Sequence, residues 1–333
     1  MRIPKALSYS SLSLFEKDVE EFAMKYLCDK APERLPQEPP MAVGSAFDAY
    51  VKSSLHAALF GAGADPQFEL TTIFESQVEP QCRDAAWEDG KHIFECYVLC
   101  GAYDELLALL KQSTEPPRFE FTVKGIIGGA PFLGKPDCRF VLDLGQGRIS
   151  VVFDFKVHGY YSKYGASPTK GYRLCRDAYK TDKQSRSHMT AHKNYLGMDY
   201  RGLEINSGYM EFCSKEYSDQ LCLYGWLLGE PVGDENLILA LDEVVAKFMG
   251  AGNKPLLRVA NHIGRVSKAH QDALVKRVEK CWATIQSGHI FQEMSREDSE
   301  SRQSILDEMS GVLISDGSVK DDFFVDCVRS PKW

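Results

Sequence analysis

Asp137, Asp154 and Lys156 lie within twenty residues of one another, in the stretch GKPDCRFVLDLGQGRISVVFDFKV (134–157). A strand's side chains alternate between faces, so Asp154 and Lys156 would point one way and Phe153, Phe155 and Val157 the other. Hairpin pairing can bring Asp137, near the end of the neighbouring strand, beside Asp154. Two carboxylates converging on one point need a cation, and hard oxygen donors suit Mg²⁺ or Mn²⁺. A lysine next to such an ion can orient a water or help to deprotonate it, a combination suited to phosphodiester hydrolysis. The same three residues also fit the wet face of an ordinary hairpin, where an Asp–Lys pair is worth little. Features elsewhere in the chain must decide.

The first of these is charge. The chain carries a net charge of −8. Residues 156–193 nevertheless hold nine Lys or Arg against two Asp, while the rest of the chain is strongly acidic. One concentrated basic segment in an acidic protein implies a local polyanion contact rather than a sticky surface. Lys163, Lys170, Arg173, Arg176, Lys180, Lys183, Arg186 and Lys193 are interleaved there with Tyr160, Tyr161, Tyr164, Tyr172 and Tyr179. Cations neutralise phosphates, and tyrosines stack on unpaired bases. His158, His188 and His192 show no ligand spacing and read as polar loop residues near phosphate.

The elements that must position these residues are legible from periodicity and breakers. Phe15, Val19, Phe22 and Tyr26 recur at helical spacing, predicting a helix over 11–30. Four prolines in 31–40 mark a connector, a second helix covers 41–59, and a third amphipathic region runs from about 81 to 111. Residues 119–126, 130–144 and 149–157 then read as a three-stranded antiparallel meander. Glu120 reads as a solvated residue on its first strand, with an additional acid near the site as the alternative. The segment 157–195 reads as a long loop or insertion. A helix over 215–230, strands near 236–246 and 255–263, and an amphipathic helix over 268–287 follow. This order specifies an α/β fold with a mixed β-sheet flanked by helices.

With 333 residues and 44% hydrophobic composition the chain suits a soluble globular protein. Neither a secretory signal nor a run of about 18 apolar residues is visible, so a cytoplasmic location without membrane contact is expected. The ten cysteines are too sparse for a disulfide scaffold and read as reduced, mostly buried thiols, with Cys96 and Cys100 alone closely spaced. From Glu293 onward ten acidic residues outnumber five basic ones, suggesting a separate, partly ordered acidic tail over 293–333.

Four stretches in the same order resemble the PD-(D/E)XK nuclease superfamily, in its RecB-like and phage exonuclease branch. LSYSSLSLFEKDVEEFAMKYL resembles the N-terminal helix, with Asp18-Val19 in place of the usual Cys-Pro. VGSAFDAYV resembles the Gly-x-x-x-His helix, with Asp48 where the histidine stands. GKPDCRFVLDL…ISVVFDFKV matches the metal core, and YSDQLCLYGWLLG matches the Gln-x-x-x-Tyr helix at Gln220 and Tyr224. The resemblance covers residues 7 to about 290 and implies a restriction-endonuclease-like core over 1–292.

It further implies that Asp137, Asp154 and the Phe155 backbone carbonyl hold Mg²⁺ or Mn²⁺, with Asp48 contributing at a second site or standing as a solvated helix residue. Lys156 would serve the attacking water, and Gln220 would touch the phosphate or the lysine. The iron–sulfur cluster of some relatives is not expected, since only Cys281 and Cys327 follow Tyr224. The implied activity is exonucleolytic cleavage of DNA in recombination, repair or phage DNA processing, with a single-strand annealing protein as an expected partner. A catalytically degenerate DNA-binding protein and a structure- or sequence-specific endonuclease are the competing readings.

Overall fold

The computed structural model describes residues 3–29, 35–143, 145, 147–159, 172–175, 195–196, 203, 210, 213–230, 236–247 and 256–288. These fall into two compact units, one within Met1–Pro32, Gly128–Ala130 and Lys276–Trp333, the other within Glu33–Ile127 and Pro131–Val275. No helix among the described residues is long and apolar enough to cross a membrane.

In the first unit the expected helix over 11–30 is broken. Helix α1 (Tyr9–Lys17) starts from a Ser8–Ser11 capping box. Asp18 is extended, and its carboxylate caps the restart by accepting the Glu21 N–H at 2.8 Å. A four-residue helix α2 (Val19–Phe22) then passes into a π-turn, Ala23–Leu27. The apolar spacing survives the break, because Phe15 and Phe22 still meet edge to face at 5.4 Å. Glu16 receives a two-pronged ion pair from Arg277 at 2.6 and 2.5 Å.

The second unit opens with helix α3 (Pro39–Phe60), whose prolines sit in the first turn where no amide partner is lost. Helices α4 (Leu70–Gln77), α5 (Arg83–Leu99) and α6 (Ala102–Lys111) follow. The expected region 81–111 is therefore two helices, separated at Gly101, whose φ of 84° suits a residue without Cβ.

The strands are β1 (Arg118–Phe119), β2 (Val123–Ile127), β3 (Ala130–Gly134), β4 (Cys138–Asp143), β5 (Arg148–Gly159), β6 (Tyr172–Cys175), β7 (Tyr195–Leu196), β8 (Leu237–Lys247) and β9 (Leu256–Gly264). Helix α7 (Lys215–Leu227) precedes β8, and α8 (Lys268–Ser287) follows β9. The main sheet runs β1-β4-β5-β8-β9-β6-β7, with β5–β8 parallel and the other pairs antiparallel. The fold is therefore α/β with a mixed sheet flanked by helices, as the sequence predicts.

The three-stranded meander is corrected. Each of its first two runs splits, so β2 and β3 form a separate two-stranded sheet while β1 and β4 join the main one. The split in the second run falls at Lys135-Pro136-Asp137, where proline has no N–H for the ladder. The split in the first begins at Glu120, whose φ is +50°. The long loop expected over 157–195 is corrected in part: it contains the end of β5 and the strands β6 and β7.

One face of the sheet packs on α3 and α5. Phe47 of α3 meets Tyr97 of α5 and Phe155 of β5 at 5.4 and 6.0 Å, all nearly perpendicular and buried. On that face Asp242 of β8 is fully buried, accepting hydrogen bonds from the Tyr97 hydroxyl and the Asn261 amide. Burial pushes its carboxyl up to about 6, the two donors only partly offsetting it. A folded-state value above the unfolded one favours folding at low pH, and the contribution is lost as pH rises from about 4 through 6. Asp242→Asn should remove this dependence. In urea titrations the wild type should lose stability relative to the variant across that window, by up to about 1.4 kcal/mol per pH unit. Parallel stability curves would refute this.

Candidate metal centre and active site

The two splits in the strand runs create the site. Glu120 leaves β1 and its N–H donates to the Asp137 carbonyl at 3.2 Å, so the two acidic residues stand side by side where the hairpin departs. Cys138 pairs with Phe153 across β4 and β5, which brings Asp137, one residue earlier, to the level of Asp154. Asp137 Oδ2 accepts the Phe155 N–H at 2.9 Å. Asp154 and Lys156 share a face of β5 and form an ion pair. The three residues singled out first are thus brought together.

Helix α3 supplies the other wall. Asp48 and Lys52 are four apart and share a helix face. The Lys52 ammonium is fully buried and contacts Asp48 Oδ2 at 2.6 Å, Asp137 Oδ1 at 2.7 Å and Glu120 Oε1. Gln77 of α4 donates to Asp48 Oδ2 at 3.0 Å, and Lys135 pairs with Glu120 from the more exposed rim. Apart from the fully buried Lys52, these groups border a cavity of about 450 Å³ that also takes in Gly44, Ser45, Phe155 and Gln220. Neither reading of Glu120 or Asp48 as solvated survives, since their side chains are only 14% and 17% exposed.

The electrostatics are those of an anionic pocket short of positive charge. Burial pushes Asp48 up to about 7, with Asp137 and Glu120 adding to the rise against the pull of Lys52. Burial also opposes ionisation of Asp137, but Lys52, the contact with Asp154 and Lys156 together bring it down to about 2. Burial, then the Asp137 charge, holds Asp154 well above the carboxylate range. Burial lowers Lys156, yet Asp154 and Asp137 outweigh it and keep the ammonium protonated beyond the usual range. Lys156 is therefore a proton donor in this arrangement, not a free base.

Asp48, Glu120 and Asp137 each place an oxygen within 4.8 Å of the others, and this set could hold a metal ion. Asp154 Oδ2 is buried against the Lys156 ammonium in its ion pair, and the Asp154 carboxyl also meets that of Asp137. A buried carboxylate beside a second carboxylate fits a cation ligand.

Gln220 of α7 reaches the cavity, and its amide donates to the Tyr224 hydroxyl at 2.6 Å. The Tyr224 ring lies so close to β3 that a Cβ on Gly134 would stand 2.6 Å from two ring carbons. Tyr217, on the same helix, puts its ring 5.6 Å from the Lys156 ammonium. His158 is not a loop residue. It sits on β5 and contacts Glu243 at 2.7 Å, with His262 on the other carboxylate oxygen at 2.8 Å. Burial raises Glu243, but the two imidazoles win and bring it down to about 2.

Tyr172 and Arg173 lie on β6. Tyr160, Tyr161, Lys163, Lys170, Arg176, Lys180, Lys183 and Arg186, with His188 and His192, lie outside the described residues. The eight cysteines whose side chains are described are free thiols, five of them buried. Lys52, Gln77, Glu243 and His262 were not visible as site residues in the sequence. Lys52 had a usable signal, a lysine one helical turn after Asp48, with only apolar or aromatic residues between them in DAYVK.

No family model matches the chain, and no curated protein matches it. Among solved structures it is similar to a protein from Eubacterium rectale named "Putative exonuclease", at 13% identity and a TM-score of 0.38, over 86% of this chain and 88% of that one. A likeness of this degree carries no functional argument.

Proposed function

We propose that the protein is a metal-dependent nuclease that hydrolyses phosphodiester bonds in DNA, acting as an exonuclease in recombination, repair or phage DNA processing. The observation that carries the reading is the convergence of Asp137, Asp154 and Lys156 on one cavity, with Asp154 buried against the other two. Asp137, Asp154 and the Phe155 carbonyl would hold Mg²⁺ or Mn²⁺. When bound, such an ion acidifies water and supplies positive charge opposite the phosphate. Lys156 donates a hydrogen bond that orients the attacking water and offsets charge on the phosphate. Gln220 presents its amide to the phosphate, held by Tyr224. The bond that breaks is P–O3′, leaving a 5′-phosphate.

On this reading residues 1–292 form the nuclease domain, the insertion at about 157–195 carries the cationic and tyrosine contacts to DNA, and 293–333 is an acidic tail. The protein works in the cytoplasm, beside a single-strand annealing protein. The discriminating experiment supplies Mg²⁺ or Mn²⁺ and compares end-labelled linear duplex, covalently closed duplex, single-stranded DNA and RNA. Linear DNA should be degraded to 5′-phosphorylated products while closed circles survive. Cutting of closed circles would make it an endonuclease. Retention of DNA without cutting in either metal would leave a binding protein of the same fold.

A further inference from the structure

We propose that Lys52 is a built-in cation that fills one of two cation places among the acidic groups of the cavity wall, so that the site takes a single divalent ion at Asp137 and Asp154. Asp48 and Glu120 then serve Lys52 and not the ion. This rests on the metal-centre reading above and specifies its stoichiometry.

Three observations lead to it. An ammonium has three donors, and the Lys52 ammonium meets three different carboxylates, Asp48, Glu120 and Asp137. The oxygens of those same carboxylates lie within 4.8 Å of one another, so the lysine stands where a cation held by that cage would stand. Second, Lys52 is 0% exposed, between the buried Val51 and the buried Leu55 one turn on. Withdrawing it would take the closest counter-ion from Asp48 and Asp137 and leave Glu120 only the rim lysine Lys135, which is costlier than leaving it in place. Third, Asp154 lies outside that cage, against Lys156, while Asp137 belongs to both groups. A carboxylate has about four lone-pair sites, so Asp137 can hold Lys52 and an ion together.

Charge counting gives the number of ions. Fully ionised, the four carboxylates Asp48, Glu120, Asp137 and Asp154 face the ammoniums of Lys52 and Lys156 and, from the exposed rim, Lys135. The deficit is one positive charge, or two with the rim lysine left to solvent, and one divalent cation covers either. A second would leave an excess of at least two in a medium that screens poorly.

The test is Mn²⁺ titration of chelator-treated full-length protein, counting free Mn²⁺ by its electron paramagnetic resonance signal. Wild type should bind one Mn²⁺ per chain, and Lys52→Met should bind two. Two ions on wild type, or still one on Lys52→Met, would overturn the role of Lys52 and leave the metal centre standing. No binding to wild type would overturn the metal centre itself. Should Lys52→Met fail to fold, Asp48→Asn decides. It should bind one ion with affinity within about threefold of wild type, whereas a fall of about tenfold or more would make Asp48 a ligand and overturn the assignment. Asp154→Asn should abolish Mn²⁺ binding in the same assay.

Discussion

If the proposed metal centre is right, Asp154→Asn is expected to lower DNA cleavage by at least about a thousandfold while the protein stays folded, because a ligand worth several kcal/mol of transition-state charge stabilisation would be removed. The loss should be in kcat, with binding of DNA to the basic segment little changed. Stability should move little, because two effects oppose each other. The substitution ends both the burial of an ionisable carboxyl and its repulsion by Asp137, which in that order hold Asp154 well above its usual range. It also takes from Lys156 its closest counter-charge. Removing one member of a buried pair is normally costly, but Asp137 still faces Lys156. The net change should stay within about 1 kcal/mol, read from urea midpoints in chelator. Lys156→Ala should match the loss of cleavage without loss of Mn²⁺ binding, separating the water-orienting group from the ligand. Cleavage within tenfold of wild type in Asp154→Asn would remove this residue from the chemistry.

How much of this was legible in the sequence depends on whether the deciding interaction was local. Alternation along one strand placed Asp154 and Lys156 on one face, and hairpin pairing placed Asp137 beside them; both are nearest-neighbour rules. The helices beginning at Pro39 and Lys215 were equally legible, because apolar spacing and proline or glycine breakers bound them. The splitting of the meander was not. A strand run with a proline near its middle reads as one strand with a flaw, and only the separate pairing of β2 with β3 turns that flaw into a corner. That corner is what makes Glu120 a member of the site and not a solvated strand residue. Lys52 was missed for a similar reason. Its meaning depends on carboxylates 68 and 85 residues away along the chain, and no periodicity encodes them. The break at Asp18 was hidden because the apolar spacing continues through it.

Gly90→Ala is expected to be the most damaging single-methyl change in the described structure, although it lies on no candidate catalytic element. Gly90 is on α5, at its crossing with α3. A Cβ there would stand 2.4 Å from the Ala46 Cβ, 2.9 Å from the Phe47 nitrogen and 3.0 Å from the Ala46 carbonyl carbon. Two of those three atoms are backbone, so no rotamer change relieves the overlap and the helices must separate. Alanine gains about 1 kcal/mol of helix propensity over glycine, but forcing such an overlap costs about 3 kcal/mol or more. A net loss of about 2 kcal/mol or more should appear as a lower urea midpoint with an unchanged slope. The displacement also falls on Ala46 and Phe47, immediately before Asp48 and about one turn before Lys52, so cleavage should fall beyond what the unfolded fraction explains. Ala46→Gly in the same chain should restore part of the stability, since it removes the Cβ contact at 2.4 Å but leaves those to the backbone. If Gly90→Ala unfolds at the wild-type midpoint, α3 and α5 do not approach this closely, and the placement of Asp48 and Lys52 against Asp137 loses its support.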